Sequence, residues 1–196
     1  MFKIRKLDNA YINIHQEIID ACKAGDRSAQ FRIYKLYSKA MYNTSLRIVN
    51  DTMEAEDVMQ EAFLTAFQRI DSYTGQGSFG SWLKRIVTNK SLDAIRKRKA
   101  QVSIEDEKLD FPEIAEENKE EEIQLQVVEV KAAIAELPEE YRLIVNLFLI
   151  EEYSHEEISE MLGISNNLSR TRLVRAKQKI QHILKEKKLR SSFNYN

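Results

Sequence analysis

Helix-breaking residues are scarce in this chain and fall at a few places only: Gly25, the trio Gly75, Gly77 and Gly80, Pro112, Pro138 and Gly163. Leu, Ile, Ala, Glu and Lys are prominent between them, which leaves few positions to turn and predicts an all-α protein. At 196 residues and 43% hydrophobic, the chain can bury one ordinary core or two small ones. Its one cysteine, Cys22, has no internal disulfide partner, and no apolar run nears the roughly 18 residues of a membrane span. The basic start Met1-Phe2-Lys3-Ile4-Arg5-Lys6 is followed by Asp8, Asn9 and Asn13 instead of a continuous apolar segment, so no secretory signal is expected. These bounds predict a globular cytoplasmic protein without membrane insertion.

Apolar residues recur at helical spacing from Ile14 to Val49, with Gly25-Asp26 as the break between two helices. A third helix is expected from about Asp51 to Ile70. It buries Ala55, Val58, Ala62, Phe63, Ala66 and Phe67 and leaves Glu54, Asp57, Gln60, Glu61 and Gln68 outside. After the glycine-bearing loop at Tyr73 to Ser78, a fourth helix is expected from about Phe79 to Arg98. Periodicity then lapses. Residues 100–125 read as an acidic linker between two small helical domains, the first at 24–99 after an N-terminal extension and first helix (1–23), the second at 126–190 before a short tail (191–196). A helix around Val127 to Glu136 opens the second domain, and Pro138 starts another. Ser154-His155-Glu156-Glu157 forms a capping box, Gly163 ends the short helix it starts, and Ser165 can cap a longer basic helix. That spacing is the one used by a helix-turn-helix.

The net charge of -1 hides strong segregation. Lys84 to Lys99 carries seven basic residues and one acid, Gln101 to Glu122 ten acids and two bases, and Asn166 to Arg190 nine bases and one acid. On a wheel of about 100° per residue, the last helix turns Ser169, Leu173, Ala176, Ile180 and Leu184 inward and Asn167, Thr171, Val174, Arg175 and Gln178 outward. Val174 suits a thymine methyl, and Arg170 and Arg175 suit guanine edges or phosphates. The alternative is a merely solvated basic face. On the fourth helix Trp82, Arg85, Asn89 and Arg96 form a stripe able to stack unpaired bases and hold phosphates, although a lone Trp also serves as core filler. Asp57, Gln60 and Glu61 form an exposed cluster. His15, His155 and His182 lack metal-ligand spacing, and no catalytic grouping or cofactor motif is present in the sequence, so neither enzyme activity nor a cofactor is expected.

These residues resemble the sigma factors of bacterial RNA polymerase, in particular the small two-domain extracytoplasmic-function group. The likeness rests on Ala55-Glu56-Asp57-Val58-Met59-Gln60-Glu61-Ala62-Phe63, Tyr73-Thr74-Gly75 and Phe79-Gly80-Ser81-Trp82-Leu83-Lys84-Arg85-Ile86 with Asn89 and Asp93. It continues in Leu137-Pro138-Glu139-Glu140-Tyr141-Arg142, Gly163-Ile164-Ser165 and Arg172-Leu173-Val174-Arg175-Ala176-Lys177. The resemblance implies that Asp57, Gln60 and Glu61 dock on the clamp helices of core RNA polymerase. It also implies that Tyr73, Phe79, Trp82, Arg85, Asn89 and Arg96 contact the minus-ten element of promoter DNA, and that Asn167, Arg170, Thr171, Val174 and Arg175 read the minus-thirty-five element. An anti-sigma factor is a further implied partner. One departure stands out: many family members have Thr-Val where this chain has Leu168-Ser169, which removes a hydroxyl near the DNA backbone and an apolar core contact, and so bears on the tilt of the helix.

The competing reading is a helix-turn-helix regulator that binds a palindromic site by itself, without being a polymerase subunit. A helical interaction scaffold is a third, which leaves both basic helices unused.

Overall fold

The computed structural model describes the backbone of residues 15–102 and 121–193 and the side chains of 15–100 and 127–187. The expected N-terminal extension up to residue 14, the linker at 103–120 and the tail at 194–196 lie outside the described residues. Among the described residues all regular structure is helical. The helices are α1 (Gln16–Lys23), α2 (Arg27–Val49), α3 (Thr52–Gln68), α4 (Phe79–Val102), α5 (Glu121–Ala135), α6 (Glu139–Val145), α7 (His155–Leu162) and α8 (Asn166–Phe193). They divide into two compact units, one up to Ile104 and one from Glu105. The all-α expectation and the pair of helical units are both met.

In the first unit α2, α3 and α4 pack against one another and α1 lies on α2. The turns follow local chemistry. Asp26 caps α2 by accepting from the Ser28 N–H at 2.7 Å. Asn50, with φ 60°, ends that helix in the left-handed conformation that Asn tolerates, and Asp51 at once caps α3 by accepting from the Glu54 N–H at 2.7 Å. Ile19, Ile33, Phe63, Phe79, Leu83 and Val87 lie in the core. The inner face of α4 drifts along the helix: Ile86 and Ala94 are half-buried, while Thr88, Ser91, Leu92 and Ile95 are buried. Ser91 donates to the Val87 carbonyl at 2.9 Å and its hydroxyl lies 3.1 Å from that of Ser45 on α2, so the α2–α4 seam is closed by two small hydroxyls. Arg98, one of the basic residues of the Lys84 to Lys99 run, turns back to pair with Glu54 at 3.0 Å and to donate to the Val49 carbonyl at 3.3 Å.

In the second unit α8 packs on α5, α6 and α7. The core holds Ala133, Leu137, Ile144, Val145, Leu147, Ile158, Leu173 and Ala176. Helix α6 runs into a widened turn at Asn146–Ile150 before Tyr153. The expected capping box is present: Ser154 Oγ accepts from the Glu157 N–H at 3.2 Å and Glu157 accepts from the Ser154 N–H at 2.9 Å. Gly163 takes φ 64° after α7, and Ser165 Oγ accepts from the Leu168 N–H at 3.2 Å at the start of α8. Helix α5 is already formed at Glu121, the first residue described there, ahead of the expected start near Val127, so the last acids of the expected linker belong to a helix. Glutamate is a good helix former, a preference that apolar periodicity does not register.

Candidate functional site

Three surfaces hold the candidate residues. On α3, Asp57, Gln60 and Glu61 are exposed, as expected. Gln60 reaches Glu56 at 3.4 Å, and Glu61 lies 3.6 Å from the ammonium of Lys90 on α4. The same line carries two apolar residues that the sequence reading passed over, Met53 at 78% exposure and Leu64 at 63%. Positions 53, 57, 60 and 64 fall within a narrow angle at about 100° per residue, so the wheel that picked out the acids could also have found them. The surface is therefore a polar and acidic stripe with an apolar residue at each end, which suits docking better than solvation alone.

The second surface is built around an aromatic cluster where the glycine loop meets α4. Ser78 starts the helix: its Oγ accepts from the Ser81 N–H at 3.1 Å. Gly80 passes so close to α2 that an added Cβ would stand 3.2 Å from the Tyr37 ring. The ring of Phe79 meets Tyr37 at 5.5 Å, Tyr73 at 5.3 Å and Trp82 at 5.2 Å between centroids, and Tyr73 meets Trp82 at 5.5 Å. The Tyr73 hydroxyl donates to the Gly77 carbonyl at 2.8 Å, and Lys23 of α1 donates to the Tyr73 carbonyl at 2.8 Å. Two of the expected minus-ten residues are consequently not surface residues: Tyr73 is 3% exposed and Phe79 is 0% exposed. They sit beneath Trp82, because large rings at a helix start bury more apolar area inward than a loop can leave to solvent. Trp82 is half-buried, so part of its ring packs in the cluster and part stays open. Arg85 and Asn89 are exposed along α4, and Arg96 is exposed while paired with Asp93 at 2.6 Å.

On α8 the expected outward side is observed, while Ile180 and Leu184 of the expected inward side are only half-buried. Ser169, Leu173 and Ala176 are buried, and Asn167, Arg170, Thr171, Val174 and Arg175 are exposed, Val174 at 57%. Arg170 is held in place: its Nε donates to Asn166 Oδ1 at 2.7 Å, Asn166 donates to Glu156 Oε1 at 2.7 Å, and the guanidinium lies 3.5 Å from Glu156. Hydrogen bonds from the Glu156 backbone N–H and from Asn166 hold the Glu156 carboxyl below its usual range. The Thr171 hydroxyl donates back to the Asn167 carbonyl at 2.8 Å. Arg172, one of the nine basic residues between Asn166 and Arg190, pairs with Glu140 at 2.6 Å, and Lys187 pairs with Glu136, so both are tied to the fold. The Leu168-Ser169 departure does not leave a gap. The buried Ser169 hydroxyl is 2.8 Å from Nδ1 of His155 on α7, a residue the sequence reading assigned only to a capping box. Burial, and after it the charge of Arg170, lowers the His155 pKa from the ordinary histidine value.

Among the described residues no group of His, Cys, Asp and Glu could hold a metal ion, and no helix is long and apolar enough to cross a membrane.

The two units match known families. Residues 33–101 match Sigma-70 region 2 and residues 128–180 match Sigma-70, region 4. The ECF RNA polymerase sigma factor SigW of Bacillus subtilis is 32% identical over 178 residues, which covers 86% of this chain and 95% of that protein. SigM of the same organism is 29% identical over 150 residues, covering 76% of this chain and 91% of SigM. Among solved structures, the sigma factor RpoE bound to the anti-sigma factor NepR from Bartonella quintana shares the fold with a TM-score of 0.58 at 22% identity, over 79% of this chain and 95% of that one. A region 2 match on the unit with the acidic stripe and aromatic cluster, a region 4 match on the helix-turn-helix unit, and a full-length relative above 30% identity place this chain in the family of ECF sigma factors of RNA polymerase.

Proposed function

We propose that this sigma factor, whose role is to direct RNA polymerase to promoters, divides its work among the three surfaces described. The α3 stripe of Asp57, Gln60 and Glu61, bracketed by Met53 and Leu64, docks on core polymerase. Trp82, with Arg85, Asn89 and Arg96 beyond it, receives unpaired bases and backbone of the minus-ten element, while Tyr73 and Phe79 support Trp82 from beneath. Asn167, Arg170, Thr171, Val174 and Arg175 read the minus-thirty-five element in the major groove.

The observation that carries the reading is the two-sidedness of α8. Its outward line is exposed behind a capped helix and a glycine turn, and its inward line is buried at Ser169, Leu173 and Ala176, which is the geometry a recognition helix needs. Each unit can bind DNA weakly. Held together on polymerase, two weak contacts become one intramolecular event, so the spacing of the promoter elements enters the specificity. Stacking of unpaired bases then favours the open strand thermodynamically, with no chemical step by this chain. The protein would work in the cytoplasm beside polymerase and DNA. An anti-sigma factor would regulate it by covering these surfaces, as the RpoE–NepR pair suggests.

The test is transcription by core polymerase from a promoter library with and without this chain. Defined start sites that require the chain are expected. Tight binding of the isolated protein to a palindromic site, with no effect on polymerase, would instead favour the autonomous regulator.

A further inference from the structure

Helices α7 and α8 pack against each other, and Ile158 on one and Leu173 and Ala176 on the other are buried apolar side chains. Apolar contact is non-directional, so it leaves the rotation of a helix about its own axis loosely defined. Besides the exposed bonds that Asn166 and Arg170 make to Glu156, a buried polar contact lies in this interface. His155, the first residue of α7, and Ser169, in the first turn of α8, are both buried and stand 2.8 Å apart through Nδ1 and Oγ. The imidazole cannot swing freely, because it is stacked on Phe148 at 4.3 Å and 20°. The chain that carries it is anchored one residue earlier by the Ser154–Glu157 capping box. Either neutral tautomer can make the bond, as acceptor from the hydroxyl or as donor to it.

We propose that the His155–Ser169 hydrogen bond sets the rotation of the recognition helix, which makes His155 a positioning residue for promoter specificity. The inference rests on the reading of α8 as the helix that reads DNA. Ser169 is followed directly by Arg170 and Thr171, so any rotation at Ser169 is passed to them. At a side-chain radius of about 5–6 Å, a turn of about 10° moves a side-chain tip by about 1 Å. A shift of that size takes a base contact from a good hydrogen bond to a poor one.

The experiment uses the full chain with core polymerase on a library randomised across the minus-thirty-five element. Ser169→Ala removes only the hydroxyl. His155→Phe keeps a ring for Phe148 and removes Nδ1. The double variant removes both partners, and Arg170→Ala and Val174→Ala serve as controls on the reading of α8. Each single variant is expected to change base preference at one or more positions by about threefold to tenfold, the scale of one hydrogen bond. The double variant should match a single one, because the same bond is lost in all three. Thermal melting should rank the double above His155→Phe, which strands a buried hydroxyl.

If the His155 and Ser169 variants keep the wild-type order of promoters and only scale transcription down, the inference is overturned. The same holds if the single effects add in the double. Should His155→Phe fail to fold, a wild-type preference in Ser169→Ala overturns it alone. If Arg170→Ala and Val174→Ala also leave preference unchanged, the reading of α8 falls as well.

Discussion

The aromatic site on α4 and the outward face of α8 are both assigned to DNA, yet they are built in opposite ways. On α8 the proposed contacts project from a regular helix and take little part in the core, while the buried residues lie on the other side. On α4 the proposed stacking residue, Trp82, is itself part of a ring cluster with Tyr73 and Phe79, and a loop carbonyl, a lysine of α1 and a glycine at a tight approach hold the cluster together. The difference separates two kinds of binding surface. A face can be altered residue by residue with small effects on folding, whereas a platform shares its residues with the core and cannot.

The widest test of this contrast is Phe79→Ala against Val174→Ala. Phe79 is fully buried, so its truncation should cost about 3–5 kcal/mol in denaturant unfolding. Truncating the exposed Val174 should stay within about 0.5 kcal/mol while altering promoter preference. If both changes cost the same, the distinction between platform and face collapses.

Trp82→Ala comes next. Loss of a stacking surface is worth about 1–3 kcal/mol once strands separate, so open-complex formation on duplex promoter should suffer and a pre-opened bubble template should restore it. An equal defect on both templates would assign Trp82 to the core and remove the platform from this unit.

The α3 stripe should behave like α8 and unlike the aromatic site. Asp57→Ala combined with Gln60→Ala is expected to weaken affinity for core polymerase in a titration while leaving the melting temperature near wild type, because exposed side chains contribute little to folding but can be central to an interface. A large loss of stability would show that the stripe is structural after all.

The smallest effect concerns pH. His155 is faced by Arg170 of α8 and by its own neighbour Glu156, and burial favours its neutral form in the folded state. The unfolded chain therefore takes up the proton first. Stability of the second unit should be complete above about 6.5, the ordinary histidine value, and should decline as pH falls below it until the folded-state pKa is reached. Unfolding followed across this range should show a shallow slope in the wild type and a flatter one in His155→Phe. An unchanged slope would assign the effect to other groups.

How much was legible in the sequence follows the same division. The helices apart from the extent of α5, the capping box at Ser154, the helix end at Gly163 and the outward side of α8 were read correctly, since caps, glycines and period are local properties. The exposure of Asp57, Gln60 and Glu61 was read for the same reason. The burial of Tyr73 and Phe79, the inward turn of Arg98 to Glu54 and the ion pairs of Arg172 and Lys187 were not, because each depends on a partner more than 30 residues away or on the packing of several helices.

By itself, then, the sequence determined the all-α class, the two helical units, their start and stop signals and the charged faces, because each of these is decided within a few turns of one helix. Tertiary structure alone decided which aromatic rings are buried in the cluster, which arginines are drawn into ion pairs, and how a serine in α8 finds a histidine on α7. These depend on packing between helices, where burial converts a small difference in position into the difference between a contact made inside the protein and one left for a partner.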